Sequence, residues 1–146
     1  MVMDEQSLDI ERNNIKILSK IFPDIFSENQ IDATKFSTIL DNLVVSLKAS
    51  NPYKIILFGS YANGNPNENS DIDLLVILDN NHVSKTYQER LNKKIRIRNS
   101  VIEINRKMPL DILVYSKEEW KIIKRNGNDF IDEIEKTGKV IYEKAG

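Results

Sequence analysis

Two short apolar runs in the middle of the chain constrain its fold more than any other feature. The first is Tyr53–Phe58 (YKIILF) and the second is Asp71–Leu78 (DIDLLVIL). Neither run alternates cleanly between apolar and polar residues, which is typical of strands covered on both faces. Because only about a dozen residues join them, the sequence predicts an antiparallel strand pair within a sheet that carries helices on its faces.

Helical patterns and two more apolar runs flank this pair. Apolar residues recur at helical spacing in several segments, and capping residues indicate where the helices begin. The predicted helices cover residues 7–22, 33–50 with Asp32 as N-cap, 86–106 with a Thr86–Glu89 capping box, a short segment opened by a Ser116–Glu119 capping box, and 128–137. Leu110–Tyr115 and Lys139–Glu143 predict two further strands. The predicted fold class is α/β (α+β), a small mixed sheet of about four strands with helical cover.

The chain length allows one ordinary domain with an added segment. We expect residues 51–146 to form one compact unit and residues 1–50 to form an N-terminal two-helix extension. The first helix carries an apolar stripe that a small sheet does not fully cover. We expect this stripe to pack on the second helix or on another copy of the chain. In the second case the protein would be a homo-oligomer.

Composition excludes several classes of site and of protein. The chain has no cysteine and a single histidine, His82, so disulfides, cysteine zinc sites, multi-histidine metal sites and Ser-His-Asp triads are not expected. The net charge of −1 disfavours a protein that coats nucleic acid unspecifically. Neither a membrane span nor a basic then apolar leader is visible, so a cytoplasmic protein without membrane partners is expected.

The loop between the first two strands carries a Gly-Ser turn and a pair of carboxylates. Gly59-Ser60 is followed, ten residues later, by Asp71-Ile72-Asp73. Residues two apart on a strand point to the same face, with Cα atoms roughly 7 Å apart, so both carboxylates could share Mg²⁺ ions. Backbone amides after Gly59, with the Ser60 hydroxyl, form a candidate turn for triphosphate oxygens. The loop lacks the Gly-Lys-Ser/Thr ending of a P-loop.

A third carboxylate, Asp111, begins an otherwise apolar strand. A charge there is costly unless a metal or a cation compensates it. Beside Asp71 and Asp73 it would complete a two-metal site, in which one metal activates an acceptor hydroxyl and the other holds the triphosphate. Each feature alone has an ordinary structural explanation: a turn, a polar strand edge, or a carboxylate paired with lysine. Their joint occurrence in this order favours the metal and nucleotide interpretation.

With these residues in place, the sequence resembles a known family. The segment ILFGSYANGNPNENSDIDLLVIL, with PLDILVY downstream, resembles the minimal nucleotidyltransferases of the DNA polymerase β superfamily, and the resemblance covers about residues 52–143. It implies a nucleotidyltransferase fold and an Mg-dependent enzyme that moves a nucleoside monophosphate, AMP from ATP or the equivalent from another NTP, to a hydroxyl acceptor. The first 50 residues exceed the usual small core of this family.

The resemblance also implies roles for individual residues and a class of partner. Gly59 and Ser60 would bind the triphosphate, and Asp71 and Asp73 would ligate two Mg²⁺ ions. Asp111 would ligate the catalytic metal and help to activate the acceptor. Relatives of this size often act as antitoxins beside a HEPN-domain partner, some by adenylylating it. The alternative is a non-catalytic module that neutralises a protein partner by contact. No primer-gripping domain is visible, so a protein side chain or a small molecule is favoured over a long nucleic acid as acceptor.

Five cations fall within nine residues of the predicted 86–106 helix: Arg90, Lys93, Lys94, Arg96 and Arg98. A solvated helix face is the favoured explanation, and contact with a triphosphate, a nucleic acid or an acidic partner is the alternative. Arg90, Lys94 and Arg98 share one face of that helix. Tyr61 is expected to be an exposed loop tyrosine, with stacking on a base as the alternative. Trp120 is expected in a core or an interface.

Overall fold

The computed structural model describes residues 30–66 and 70–145, with side chains described from residue 34 onward. The chain divides between Leu43 and Val44 into two compact units. The predicted helix over residues 7–22 and its apolar stripe lie outside the described residues. The domain boundary predicted at residue 50 stays a prediction.

Helix α1 spans Gln30–Leu47 and is followed by a 3₁₀ turn at Lys48–Ser50. The helix predicted over 33–50 is therefore confirmed in outline, but Asp32 lies inside the helix and is not its N-cap. The predicted stripe of Phe36, Leu40, Leu43 and Leu47 is buried. The helical segment ends at Asn51, whose φ of 55° lies in the left-handed region that asparagine tolerates better than most residues.

Four strands form one mixed sheet in the order β3-β2-β1-β4. The pairs β1–β2 and β1–β4 are antiparallel, and β2–β3 is parallel. This confirms the predicted fold class and the antiparallel pairing of the first two strands. The strand bounds are Pro52–Phe58 (β1), Ile72–Leu78 (β2), Leu110–Ser116 (β3) and Lys139–Glu143 (β4).

Both faces of the central strands are buried, as the unbroken apolar runs predict. Leu74 and Val76 on one face of β2, and Leu75 on the other, have no exposed surface. On the Leu75 face, a core cluster forms with Trp120 of α5 (Lys117–Asn126) and Ile131 of α6 (Asp129–Thr137). Burying a large apolar side chain stabilises the folded state by about 1.5–3 kcal/mol. The core is therefore centred on β1 and β2, the two middle strands of the sheet.

The helix predicted over 86–106 is two helices. α3 spans Tyr87–Ser100 and α4 spans Ile102–Lys107, with Val101 between them at a non-helical φ of −121°. Val101 is buried, and its N–H bonds to the carbonyl oxygens of the preceding turn. Apolar spacing continues through the break, so periodicity gave no signal for it. A further short helix, α2 at Gly59–Asn63, was not predicted, because five residues are too few to show a helical period.

Capping residues were more reliable than helix lengths. The capping box of Ser116 and Glu119 at the start of α5 is present in full. At the start of α3 only half of the predicted box forms: the Thr86 hydroxyl accepts from the Glu89 N–H, while the Glu89 carboxylate accepts from the Lys85 N–H. Among the described residues, no helix combines the length and apolar character needed to cross a bilayer.

The parallel pairing of β2 with β3 brings two distant parts of the chain to one edge of the sheet. Parallel neighbours require a crossover, and α3 and α4 supply it. Because the strands run in the same direction, the starts of β2 and β3 lie side by side. The carboxylates predicted for the site are at these two strand starts.

Candidate active site

The register of the sheet places Asp73 beside Asp111. The two residues are Cα partners across the parallel pair β2–β3, and Asp73 also pairs with Phe58, the last residue of β1. Paired residues on adjacent strands point to the same face, and neighbouring strands lie about 4.8 Å apart. Two carboxylates predicted from separate motifs therefore occupy one face at one end of the sheet.

Gly59 lies against the Asp73 carboxylate. It has a φ of +75°, and a Cβ atom built on it would come within 2.0 Å of Asp73 Oδ2. Any side chain at this position would collide with the carboxylate, so the close approach requires glycine. The group that approaches Gly59 in this structure is the Asp73 carboxylate.

Ser60 follows Gly59 in the first turn of α2 and is partly buried. Its carbonyl oxygen accepts hydrogen bonds from the backbone N–H groups of Gly64 and Asn65. These contacts fix the turn that ends β1. Ser60 therefore lies one residue from the glycine that touches Asp73, on the β1 side of the carboxylates.

Asp71 precedes β2 and is exposed, so the strand predicted from Asp71 begins one residue later. It still contributes to the electrostatics of the site. Burial, then the negative charge of Asp111, then that of Asp71 raise the pKa of Asp73 to about 6. A carboxylate surrounded by like charges is costly to ionise, and a bound cation would remove that cost.

Tyr61 also lies close enough to the Asp71 carboxylate to feel its charge, which the sequence did not predict. It lies in α2 and is partly buried, so the expectation of an exposed loop tyrosine is wrong. Burial, and then the charge of Asp71, raise the pKa of the Tyr61 hydroxyl. The only sequence signal was its position two residues after Gly59.

The donor atoms of this cluster suit one class of metal. Mg²⁺ prefers oxygen ligands and usually takes one or two protein carboxylates together with substrate phosphates and water. Asp73 and Asp111 provide such a pair. Within residues 30–66 and 70–145, no group of three His, Asp or Glu side chains is placed so that it could hold a metal by itself. Asp73 and Asp111 are therefore the carboxylates that the structure brings together, and an ion held by this pair would need further ligands.

Residues 43–145 match the family model described as Polymerase beta, Nucleotidyltransferase. The chain belongs to this nucleotidyltransferase family. The match contains the whole four-stranded sheet and all the predicted site residues, which confirms the coarse prediction of a nucleotidyltransferase domain. A domain of this family implies a nucleoside triphosphate as substrate.

A solved structure also resembles the chain. A candidate nucleotidyltransferase from Sulfolobus solfataricus is 17% identical, and the alignment covers 99% of this chain and 93% of that one with a TM-score of 0.42. This score is too low to add to the family assignment. No curated protein matches the chain.

The five cations predicted on one helix of the nucleotidyltransferase domain have different environments. Lys93 is buried, and its ammonium binds the Glu119 carboxylate, so a solvated face is the wrong explanation for this residue. Arg90 and Arg96 are exposed, as expected. Lys94 and Arg98 line a cavity that they share with Asp111. Trp120 is buried in the core, as predicted.

Proposed function

We propose that this chain transfers a nucleoside monophosphate from an NTP, with ATP as the donor to test first, to a hydroxyl acceptor. The observation that carries the proposal is the pairing of Asp73 with Asp111 beside Gly59, in a chain of the nucleotidyltransferase family. In the reaction, the acceptor oxygen forms a bond to the α-phosphorus. The bond from that phosphorus to the oxygen bridging to the β-phosphate breaks, pyrophosphate leaves, and the hydroxyl proton is released.

Each predicted residue has a role in this proposal. Asp71, Asp73 and Asp111 would hold two Mg²⁺ ions, and Asp111 would also face the acceptor. The ions would neutralise phosphate charge and lower the pKa of the acceptor hydroxyl. Gly59 and Ser60 would hold the triphosphate through the turn that ends β1.

The raised pKa of Asp73 supports this assignment on electrostatic grounds. Burial and two neighbouring carboxylates raise that pKa to about 6. A group used only for stability is normally paired with a cation, and no ion pair is formed by Asp73 or Asp111 within the described part of the chain. A metal ion and its phosphate ligands would supply the missing positive charge.

Thermal unfolding with ATP tests the binding part of the proposal. Ligand binding to the folded state stabilises it by about 2.7 kcal/mol when the ligand is at one hundred times its Kd. We expect ATP with Mg²⁺ to raise the melting temperature, and ATP in EDTA to leave it unchanged, because the carboxylates repel the triphosphate. Equal ATP affinity with and without the metal would contradict the proposed site.

Incubation with α-labelled NTPs and Mg²⁺ tests the chemistry. We expect label to move to an acceptor and pyrophosphate to be released in equal amount. Supplying the four NTPs separately identifies the donor base. Release of pyrophosphate with all of the label recovered in free nucleoside monophosphate would indicate hydrolysis and would contradict a transferase.

The family resemblance also leads us to propose a HEPN-domain toxin as protein partner, with this chain as its antitoxin. Co-expression with the product of the neighbouring gene tests this role. If neutralisation depends on transfer, Asp73→Asn should abolish it while the two proteins still copurify. Full neutralisation by the double variant Asp71→Asn and Asp73→Asn would show instead that contact suffices, as in a non-catalytic binding module.

A further inference from the structure

The crossover between β2 and β3 forms a small cavity beside the candidate active site. It has a volume of about 240 Å³ and lies between α3, α4 and the start of β3. Lys94 and Arg98 of α3 line it together with Asp111 of β3. The cavity thus brings two cations next to the part of β3 that carries Asp111, the residue proposed to face the acceptor.

These two cations differ from their buried neighbour in having no carboxylate partner. Lys93 is neutralised by Glu119. In the described chain, neither Lys94 nor Arg98 forms an ion pair, and both are exposed. The spacing of four residues places them on the same face of the helix, one turn apart. With Asp111 as the one acidic residue among the described residues of the lining, the cavity has more cationic than anionic residues.

The β3 side of the cavity is held in place by two hydrogen bonds that backbone N–H groups donate. The Asn105 side-chain oxygen accepts from the Leu110 N–H at 2.8 Å, and the Ile72 N–H donates to the Pro109 carbonyl at 3.0 Å. These bonds fix the start of β3 against α4 and against β2. Asp111 consequently has a defined position relative to the cavity.

The sheet order separates this cavity from the turn proposed for the donor triphosphate. Gly59 and Ser60 follow β1, whereas the cavity borders β3, and β2 lies between the two strands. Two strand spacings amount to about 10 Å. A triphosphate held at Gly59 therefore lies on one side of the Asp73–Asp111 pair, and Lys94 and Arg98 lie on the other.

We propose that this cavity binds a phosphate group of the acceptor, through Lys94 and Arg98, and so holds the acceptor hydroxyl near Asp111. The inference rests on the proposed function and applies to the case in which the acceptor is a small molecule, which it narrows to one that bears a phosphate. Arginine contacts two phosphate oxygens at once, and lysine adds a point charge. The cavity is smaller than the roughly 300–1,000 Å³ of typical small-molecule sites, so it suits a single phosphate-bearing group.

Titration with inorganic phosphate, followed by amide chemical shifts in NMR spectra, tests binding without requiring catalysis. Mg²⁺ and the α,β-methylene analogue of ATP occupy the donor site throughout. We expect shifts at Lys94, Arg98 and Asn105. The double variant Lys94→Gln and Arg98→Gln should bind phosphate at least tenfold more weakly. The matched control is Arg90→Gln with Arg96→Gln, which removes the same charge from the same helix outside the cavity and should change the affinity less than twofold.

Two results of this titration would overturn the inference. Equal loss of affinity in both double variants would show that phosphate responds only to the overall charge of the helix. Shifts at Lys94 and Arg98 that appear only in a parallel titration without the ATP analogue would assign the two cations to the donor triphosphate instead.

A transfer assay tests the identity of the acceptor with pairs of molecules that differ by one phosphate. Glycerol is compared with glycerol 3-phosphate, and ribose with ribose 5-phosphate. We expect at least tenfold faster labelling of the phosphorylated member, and loss of this preference in the Lys94→Gln and Arg98→Gln variant. Equal labelling of both members would overturn the inference and leave the proposed function standing. Phosphate binding at the cavity without transfer to any acceptor would overturn the proposed function and the acceptor assignment together.

Discussion

The carboxylates at the two ends of strand β2 are surrounded by charges of opposite sign. Asp73 lies at one end and Asp79 follows the other, six residues and about 20 Å away. Asp79 accepts hydrogen bonds from Lys144 Nζ at 2.7 Å and Lys117 Nζ at 3.3 Å, and these bonds lower its pKa. Among the described residues, burial and the charges of the carboxylates Asp111 and Asp71 act on Asp73, and they raise its pKa to about 6.

Glu119 shows the same pattern of compensation near the Asp79 end, where Ser116 pairs with Leu78. Burial alone would raise its pKa. Hydrogen bonds from the Lys93 ammonium and from the N–H groups of Ser116 and Ser84 outweigh burial, and the pKa is lowered. Asp79 and Glu119 are therefore each paired with lysine side chains from other segments of the chain. Asp73 forms no ion pair within the described residues, and we infer that a bound ligand supplies its counter-charge.

The largest expected effect is on catalysis and concerns Asp73, at the start of β2. Asp73→Asn keeps the side-chain shape but removes the charge proposed to hold Mg²⁺. We expect nucleotide transfer to fall at least about a thousandfold, which corresponds to roughly 4 kcal/mol of transition-state stabilisation. Label incorporation from α-labelled ATP measures it. Asp79→Asn, at the other end of the strand, is the control and should leave the rate within about twofold. Similar losses of transfer activity in both variants would contradict a catalytic role that belongs to Asp73 and not to Asp79.

The second-largest expected effect is on stability and concerns the ion pair near the Asp79 end of β2. In the pair Lys93–Glu119 the side chains are 7% and 11% exposed. Glu119→Ala leaves the Lys93 ammonium buried without a partner and removes the capping box, so we expect a loss of about 3 kcal/mol in the free energy of unfolding. Denaturant unfolding measures this loss.

Glu118→Ala, one residue earlier in the same turn, is the control for Glu119→Ala and should cost less than about 0.5 kcal/mol. Adding Lys93→Met to Glu119→Ala should restore part of the stability, because the unpaired charge is removed. An unchanged unfolding midpoint in Glu119→Ala would show that the ion pair has no structural role.

Gly59→Ala is expected to lower both stability and transfer activity. Gly59 and Gly64 have nearly equal φ angles of +75° and +80°, but a Cβ at Gly59 collides with Asp73, and one at Gly64 meets no atom of the described residues within 4 Å. Alanine at either position should cost about 1–2 kcal/mol of stability through backbone strain. Only Gly59→Ala should also displace Asp73 and lower transfer by tenfold or more. Equal activity in the two variants, measured per folded molecule, would contradict a role for this contact.

The smallest expected effect is the pH dependence of stability in the metal-free protein. Because the pKa of Asp73 is raised to about 6 from 3.8, the folded state binds this proton more tightly than the unfolded chain. The associated stability is fully present below the unfolded pKa and is lost as the pH rises through about 6. After allowance for solvent screening, we expect a gain of about 1 kcal/mol between pH 7 and pH 5 in EDTA.

Asp73→Asn should remove this gain. Glu119 and Asp79, whose pKa values are lowered, act in the opposite direction, since their stabilisation is lost only as the pH falls below their ordinary pKa values. A wild-type stability that falls steadily from pH 7 to pH 5 would contradict the electrostatics described for Asp73.

Local patterns in the sequence were sufficient for much of the fold. The apolar runs predicted all four strands to within a residue or two, and the Ser116–Glu119 spacing predicted the capping box that begins α5. Strand burial and caps depend on residues close together in the chain, so the sequence carries their signal directly. The same holds for the spacing of Asp71 and Asp73.

Only the tertiary structure decided which charges meet. The crossover through α3 and α4 pairs Asp73 with Asp111, the break at Val101 divides a helix that looked continuous, and the contact with Glu119 buries Lys93 among otherwise exposed cations. Each of these depends on residues far apart in sequence that packing brings together. A charge run has the same appearance in a sequence whether its members face water, an ion pair or a cavity, because the surroundings that distinguish them come from other segments.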